Sequence, residues 1–336
     1  MNAKFSLLIF LLTVLAFENI VAQEKQISVA LTQERRVEQD NTIAVGKGFG
    51  NVTITGWERD TLEATAKNAS SAEQVSVKII ESAKKITILL GAKIGDNQNG
   101  KIYLELKVPR YAKFEPIQTE SDTIAVSDIE GFVNVKTASG DIKIVNVGSV
   151  QARTGNGNIS LENIKGPIDL ITGNGNINAQ QIQGDTRIIS VNAKINLSCV
   201  KGRVEISDTS SQIRLIAIEG DVDVSTSNGK AYFIGAIRSE KRYRLKTLSG
   251  VVSMAIPENV GFTATLSSYS GKIEKDFIFQ NDSAFRSGKT DRRFIGKYGD
   301  GKAQIELDSF DGRVSFSKIA ADAIRNCESE TENKNE

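Results

Sequence analysis

Residues 148–165 read GSVQARTGNGNISLENIK, and residues 166–183 read GPIDLITGNGNINAQQIQ. The two segments are equal in length, begin with glycine and carry Gly-Asn-Gly-Asn at their eighth to eleventh positions. Glycine opens six such units, and the interval between them is 17 once and 18 thereafter: Gly131, Gly148, Gly166, Gly184, Gly202 and Gly220. A second series follows half a unit later, at Gly140, Gly157, Gly175, Ala193, Ser211 and Gly229. This fixed period predicts a repeat architecture in which each unit consists of two half-repeats and stacks on its neighbours.

Apolar residues alternate with polar ones within each half-repeat, as in Val150/Ala152, Ile159/Leu161, Ile168/Leu170 and Ile177/Ala179. Period-two alternation predicts a strand with one buried face. A third apolar column precedes the glycines: Val147, Ile164, Ile182, Val200 and Ile218. The other turn carries Thr, Ser or Asp followed by Asn or Ser, as in Thr154/Asn156 and Thr172/Asn174. Such stacked polar side chains predict hydrogen bonds from one repeat to the next.

The repeat predicts an all-β chain, specifically a single-stranded β-solenoid like a parallel β-helix or β-roll, with 18-residue coils and irregular β caps. One repeat alone buries too little apolar surface to offset the entropy lost on ordering it, so neighbouring repeats must stabilise each other. We expect a β-rich N-terminal cap at 23–110, the solenoid with less regular C-terminal coils at 111–318, and a disordered polar tail at 319–336. The polar, basic stretch 279–298 predicts a loop or irregular excursion.

Residues 1–22 have the features of a secretory signal peptide. Lys4 precedes an apolar run from Phe5 to Phe17, which is short for a membrane span, and Ala22 provides a small residue at the predicted cleavage point. We therefore expect an exported protein of the periplasm, outer surface or extracellular space, without a transmembrane span in the mature chain. The 42 basic and 41 acidic residues nearly cancel, which disfavours nucleic acid as a partner.

The two cysteines of the chain are Cys199 and Cys327. A disulfide between them is compatible with export, but the number of cysteines does not determine their pairing. Because Cys199 lies in a repeat and Cys327 in the polar tail, the sequence favours two separate thiols.

Several motifs resemble the bacterial putative-adhesin family, which is largely a domain of unknown function, and the related head domain of putative autotransporter adhesins. Val108-Pro109-Arg110 followed by TESDTI at 119–124 resembles the family's entry to its solenoid, although Asp122 replaces the usual glycine. The same phrase returns at Ile256-Pro257 and 270–273, and residues 294–314 resemble the closing coil. The TGNGN runs at 154–158 and 172–176 are similar to the head domain. The resemblance covers about residues 27–318 and implies surface placement and binding; some related domains are linked to envelope-stress responses.

The residue types of common active sites are missing from the sequence. With no histidine, the chain cannot form a Ser-His-Asp triad, a Cys-His pair or a His-ligated zinc site. The calcium loop of β-rolls, Gly-Gly-x-Gly-x-Asp, is also absent. Asp221, Asp223 and Glu205 come closest to the paired carboxylates of a glycosidase, but the short turns predict no cleft. We expect no enzyme activity, no cofactor and no metal.

Two surfaces are candidates for binding. The outward face of the second-half strands forms a flat polar ladder suited to hydrogen-bonding a polymer, with one aromatic residue: Asn158, Ser160, Asn176, Asn178, Asn196, Arg214 and Tyr232, flanked by Lys194 and Gln212. A basic surface suited to anionic lipid or polymer follows: Arg238, Lys241, Arg242, Arg244 and Lys246, with Arg286, Lys289, Arg292, Arg293 and Lys297. The simpler interpretation of both is a solvated exterior.

Three functional hypotheses follow from these observations. The first is a non-enzymatic envelope or surface protein, an adhesin-like module that binds or scaffolds envelope polysaccharide, lipid or another surface protein. The second is a regulatory sensor of envelope stress, which the family resemblance alone implies. The third is a carbohydrate-active β-helix enzyme, which the missing catalytic residues disfavour.

Overall fold

The computed structural model describes residues 32–68, 74–93, 101–287, 290–323 and 327. The expected signal peptide lies outside the described residues, as does most of the expected disordered tail. The N-terminal strands are β1 (Thr32–Arg36), β2 (Thr42–Val45), β3 (Val52–Trp57), β4 (Thr61–Asn68), β5 (Gln74–Ser82), β6 (Lys85–Lys93), β7 (Ile102–Pro109), β8 (Lys113–Phe114) and β9 (Ile117–Thr119). The strands of the repeats are β10 (Ile124–Thr137), β11 (Ile142–Thr154), β12 (Ile159–Ile164), β13 (Ile168–Asn174), β14 (Ile177–Ile182), β15 (Thr186–Asn192), β16 (Lys194–Val200), β17 (Val204–Asp208), β18 (Gln212–Ile218), β19 (Val222–Ile234) and β20 (Arg242–Ile256). The C-terminal elements are β21 (Phe262–Ser268), β22 (Ile273–Lys275), β23 (Gln280–Ser287), β24 (Thr290–Tyr298), β25 (Ala303–Asp311), β26 (Val314–Lys318) and a short 3₁₀ helix, Ala321–Ala323.

Strands of successive repeats pair in parallel and in register. In the first halves of the repeats, Val150 is opposite Ile168 and Ile168 is opposite Thr186. In the second halves, Ile159 is opposite Ile177, which is opposite Ile195. We call the two series the first sheet (β13, β15, β17 and 222–226 of β19) and the second sheet (β12, β14, β16, β18 and 230–234 of β19). The expected all-β class and its parallel strand arrangement are confirmed.

The inward residues of both sheets form one hydrophobic cluster. The alternating positions predicted from the sequence are buried, and so is the third apolar column, from Val147 to Ile218. Branched aliphatic residues suit these positions because they pack well on the pleated surface of a strand. The core therefore runs through the repeats as columns of similar side chains.

The turn from the first sheet to the second, which we call the Thr/Asn corner, is held by side-chain hydrogen bonds. The Thr154 hydroxyl donates to the carbonyl oxygen of Gly140 in the preceding repeat (3.1 Å), and Asn174 Nδ2 donates to Asn156 Oδ1 (2.8 Å). The predicted bonding between repeats is confirmed at these residues. The backbones also approach closely here, since a Cβ on Gly157 would lie 2.0 Å from the Gly140 carbonyl oxygen. This contact explains why glycine recurs at the corner.

N-terminal strands extend both sheets, since β9 pairs in parallel with residues 135–137 of β10 and β3 with its residues 124–127. β10 pairs in parallel with β3, and β3 pairs in parallel with β7. β4 is antiparallel to both β7 and β1. The expected β structure is thus present before the repeats. Its strands pair in both parallel and antiparallel directions, whereas the strands of the repeats pair only in parallel.

At the C-terminal end, strand order departs from chain order. β25 lies between β20 and β21, with Tyr243 opposite Ile305 and Phe262 opposite Ala303. The expectation of a loop at 279–298 is wrong, because β23 and β24 form an antiparallel hairpin and β24 pairs with β21. Phe294 explains the error: it is buried and packs on Phe279 with ring centroids 4.7 Å apart, although most of its neighbours are polar.

Cys199 and Cys327 form a disulfide, so the expectation of two separate thiols is wrong. The Ile319 N–H donates to the Ile256 carbonyl oxygen (3.0 Å) just after β26. From that end the chain returns to β16, which lies four strands away in the second sheet. The bond joins a residue inside the repeats to one after the last strand, a contact that the period of the sequence does not encode.

Candidate functional site

The predicted polar ladder lies on the outer face of the second sheet. Parallel registration places its side chains in one continuous column, one residue from each strand: Lys143, Ser160, Asn178, Asn196, Arg214, Tyr232, Ser253 and Ser315. Each lies between two buried core positions of its strand, so the strand alternation directs it outward. Neighbours in such a column are about 4.8 Å apart.

The seven predicted site residues divide between two columns. Ser160, Asn178, Asn196, Arg214 and Tyr232 share the central column, and Asn196 and Tyr232 are half-buried there. Asn158 and Asn176 lie beside it, at the start of their strands. The structure therefore brings the predicted set onto one face but separates the two corner amides from the rest.

Side-chain amides connect the rungs of this face. Asp141 Oδ1 accepts hydrogen bonds from the backbone N–H (2.8 Å) and Nδ2 (3.1 Å) of Asn158. Asn158 Oδ1 in turn accepts from the Asn176 backbone N–H (3.0 Å), and Asn196 Nδ2 donates to Asn178 Oδ1 (2.8 Å). The side chain of Asn158 thus joins neighbouring repeats through both its amide nitrogen and its amide oxygen, which reduces its capacity to bind a ligand, whereas Asn176 contributes its backbone N–H.

Arg214 differs from these amides because it forms no hydrogen bond or ion pair with any residue that the structure describes. It borders a shallow groove of about 410 Å³ that runs across four repeats, lined by Ser160, Glu162, Asn178, Gln180, Asn196 and Ile216. Its exposed guanidinium can donate to a hydroxyl, carboxylate or phosphate oxygen. The groove is therefore the part of the ladder with chemistry available to a ligand.

The family of the chain is identified by sequence. The family profile described as Toastrack DUF4097 matches residues 17–317. The chain belongs to the Toastrack DUF4097 family. This match confirms the resemblance inferred from the sequence motifs, and it spans the repeats and both flanks. No functionally curated protein shows significant similarity to this Toastrack chain.

Solved structures similar to this Toastrack chain include proteins of Parabacteroides and Bacteroides. A putative adhesin from Parabacteroides merdae has 9% identity over 87% of this chain and 97% of its own, with a TM-score of 0.39. A putative adhesin from Bacteroides fragilis has 12% identity over 87% and 97%, with a TM-score of 0.27. A putative lipid binding protein from Parabacteroides distasonis has 11% identity over 86% and 96%, with a TM-score of 0.27. At these values the three structures carry no functional argument for this member of the family.

Part of the predicted basic surface is neutralised by acidic partners. Arg238 pairs with Glu219 (3.3 Å), and Lys246 pairs with Glu306 (2.7 Å). Arg244 makes two hydrogen bonds to the Asp223 carboxylate, which raise the pKa of the guanidinium. Lys289 and the side chain of Arg286 lie outside the described residues. Attraction to an anionic surface is therefore weaker here than the sequence indicates.

Carboxylates that the sequence singled out are engaged in the same way. Asp223 binds Arg244, and Asp221 Oδ1 accepts from the Arg242 backbone N–H (2.8 Å). Among the described residues, no group of three or more His, Cys, Asp or Glu side chains is placed to hold a metal ion. The described helical segments include none with the length and apolar character needed to cross a bilayer.

Two features of this Toastrack chain were not predicted. The turn from the second sheet back to the first has left-handed backbone at one residue per repeat: Asp128, Asn146, Asn163, Gln181, Cys199 and Ala217, with φ of 54–60°. Asp and Asn tolerate this conformation, so the first three were a usable signal, but Gln181, Cys199 and Ala217 obscure it. A second groove, of about 420 Å³, crosses the first sheet beside the exposed ring of Phe132, with Pro167, Arg187 and Arg203 in its lining.

Proposed function

We propose that the chain is a non-enzymatic, exported surface or envelope protein that binds a polymer, with envelope polysaccharide the best fit, through the groove at Arg214. The observation that carries this proposal is the in-register outer column of the second sheet, where hydrogen-bonding side chains repeat at the strand spacing. A periodic row of donors and acceptors suits a ligand that is itself periodic. We also infer that the repeats wind as a single-stranded β-solenoid, since strands of residues 124–234 pair in parallel with the equivalent strands one repeat later.

Export is supported by the Cys199–Cys327 disulfide. Disulfides persist in oxidising compartments and are rare in the reducing cytosol. The apolar N-terminal run with Lys4 before it supports the same proposal from the sequence. We propose a location in the periplasm, on the outer surface or outside the cell.

Binding is a better fit than catalysis for the described face. The groove is shallow and lies on the flat outer surface of regular strands, with Arg214 as its exposed cation. Glycoside hydrolysis needs two carboxyl groups on either side of the scissile bond. Asp221 and Asp223 instead bind the neighbouring strand through Arg242 and Arg244.

Retention of purified full-length protein on immobilised envelope polysaccharide tests the proposal, with anionic lipid vesicles measured in parallel. We expect Arg214→Ala to weaken polysaccharide binding at least tenfold, since a hydrogen bond from a charged donor contributes about 1.5–3 kcal/mol. Arg187→Ala is the matched control, because Arg187 is an exposed arginine at an outward strand position of the first sheet. Equal binding by wild type and Arg214→Ala, or loss only with Arg187→Ala, would remove the second-sheet face from consideration.

A further inference from the structure

The Thr/Asn corner changes character along the molecule. The outermost residue of this turn is small or modest in the first repeats and large and apolar in the last strands: Ala138, Gly155, Gly173, Val191, Thr209, Ser227, Leu248, Phe310 and Tyr269. Leu248 lies within β20, Phe310 lies near the end of β25, and Tyr269 directly follows β21. Each comes one residue after a position paired between these strands, so the three are adjacent on the surface although they are far apart in the chain. We call these three residues the corner strip.

The three side chains of the corner strip are exposed to solvent, and the two aromatic rings stack on each other. Leu248, Phe310 and Tyr269 are 59%, 52% and 68% exposed. The rings of Tyr269 and Phe310 are nearly parallel, with centroids 4.7 Å apart and an interplanar angle of 6°. The two aromatic residues are thus presented as a preformed stack at the edge of rigid strands.

Hydrogen bonds fix the backbone that carries this stack. The Tyr269 N–H donates to the Ser309 carbonyl oxygen (3.3 Å), and the Ser270 N–H donates to the Phe310 carbonyl oxygen (3.0 Å). Arg292 Nη1 donates to the carbonyl oxygen of Tyr269. Because the backbone beneath the rings is fixed, the protein would lose little conformational entropy when a ligand binds to them.

Polar groups border the rings. The Ser270 hydroxyl is hydrogen-bonded to the exposed carboxylate of Asp311, and the half-buried guanidinium of Arg292 lies at the Tyr269 carbonyl. A pyranose ring presents weakly positive C–H groups on one face, which pack against the negative face of an aromatic ring. Its hydroxyls radiate from the ring edge, where a carboxylate and a guanidinium can bond them.

The size of the corner strip separates a sugar from a protein partner. A large aromatic side chain has a surface of about 150–250 Å². Multiplied by the exposed fractions of the three residues, areas of this size leave on the order of 300–400 Å² of solvent-exposed surface on the corner strip. A stable protein–protein interface needs about 800 Å² from each partner. A strip one side chain wide is therefore too small to form such an interface but comparable with the face of one or two sugar rings.

Charge disfavours an anionic membrane at the same place. Asp311 borders the strip, and two nearby cations are paired with acids, Lys246 with Glu306 (2.7 Å) and Arg313 with Glu274 (3.9 Å). The guanidinium of Arg292 is half-buried and donates to the carbonyl oxygen of Tyr269. Peripheral proteins on anionic lipid instead combine apolar residues with unpaired Lys and Arg.

We propose that the corner strip is a stacking platform for a pyranose ring of a neutral glycan. Because Tyr269 and Phe310 cover one face of each other, the sugar packs on the face of Tyr269 that is turned away from Phe310, with Asp311 and Arg292 bonding its hydroxyls. The proposal rests on the binding function above, names the class of ligand, and adds a second contact separate from the Arg214 groove.

Affinity electrophoresis of the full-length protein in gels containing a soluble neutral glucan, mannan or galactan tests the platform, with alginate as an anionic comparison. We expect retardation by at least one neutral polymer, and Tyr269→Ala and Phe310→Ala each to weaken it about tenfold, since a base stacked on an aromatic side chain contributes a comparable amount. Tyr269→Phe should keep the binding because it keeps the ring. Phe132→Ala, which removes a similarly exposed aromatic residue outside both the corner strip and the second-sheet column, is the control and should bind like wild type.

Three outcomes would overturn the platform. If Arg214→Ala abolishes binding and Tyr269→Ala does not, the proposed function stands and the platform is wrong. If no neutral polymer retards the protein, the platform is wrong, whereas binding to alginate would still support the second-sheet groove. If Tyr269→Ala instead abolishes binding to phosphatidylglycerol vesicles, the corner strip is a membrane contact. Circular dichroism of each variant confirms that the repeats remain folded.

Discussion

Replacing Cys327 by serine should destabilise the protein by opening a very long covalent loop. The disulfide joins β16 to the returning tail and encloses β17–β26. In the chain-entropy model the bond acts mainly on the unfolded chain, because it restricts the conformations open to that chain. Serine is close to cysteine in size and cannot form the bond, and Cys327 lies outside the regular strands.

The size of the loop sets the expected magnitude. The cysteines have a sequence separation of 128, and in the chain-entropy model a cross-link over that span destabilises the unfolded state by about 5 kcal/mol at about 25 °C. Measured losses from removing native disulfides are about 2–5 kcal/mol. Cys327 is the better site to change. Cys199 has a left-handed backbone with a φ of 57°, and replacing it would also change the conformational free energy of that backbone, which would obscure the effect of the disulfide.

Guanidinium unfolding followed by circular dichroism measures the effect. We compare oxidised wild type, wild type with reductant, and Cys327→Ser with and without reductant. Reduced wild type and the variant should unfold at the same, lower midpoint, and reductant should not shift the variant further. Identical midpoints for oxidised wild type and Cys327→Ser, with thiol titration showing no free thiol in the wild type, would refute the entropic reasoning.

Two further predictions concern the corner and the core. Gly157→Ala should lower the free energy of unfolding by about 3 kcal/mol, because its Cβ would lie 2.0 Å from the Gly140 carbonyl oxygen. Gly131→Ala, whose Cβ would have its nearest neighbour at 3.9 Å, should be near neutral in the same melt, and equal losses would contradict the close-contact explanation. Burial raises the pKa of Tyr243 to about 12. Because the folded protein then holds this proton more tightly than the unfolded chain, stability should fall by about 3 kcal/mol as the pH rises from about 10 to about 12, and Tyr243→Phe should lose that slope in alkaline melts.

The ladder of the second sheet was predictable because strand geometry converts sequence spacing into position. Asn178 and Asn196 lie one repeat apart, and equal spacing along parallel strands places them side by side. The sequence did not show that Asn158 and Asn176 are engaged in bonds between repeats. Hydrogen-bond partners depend on side-chain rotamers, which the spacing leaves open.

The hairpin of β23 and β24 was missed for a related reason. On β24 the exposed residues include Arg293 and Lys297, so the period-two pattern rests on few apolar residues, of which Phe294 is buried. A strand at the end of a sheet needs only one covered face, and its outward residues then resemble those of a loop.

The sequence by itself determined the strand register, the three apolar columns and the polar corner. The repeats are equal in length and their apolar residues alternate with period two, so parallel, in-register pairing is the arrangement that buries every apolar column at once. Only the tertiary structure decided the insertion of β25 between β20 and β21, the Cys199–Cys327 bond and the corner strip. Each of these joins residues from different parts of the chain without a shared period, so each depends on how the last strands and the tail fold back on the repeats.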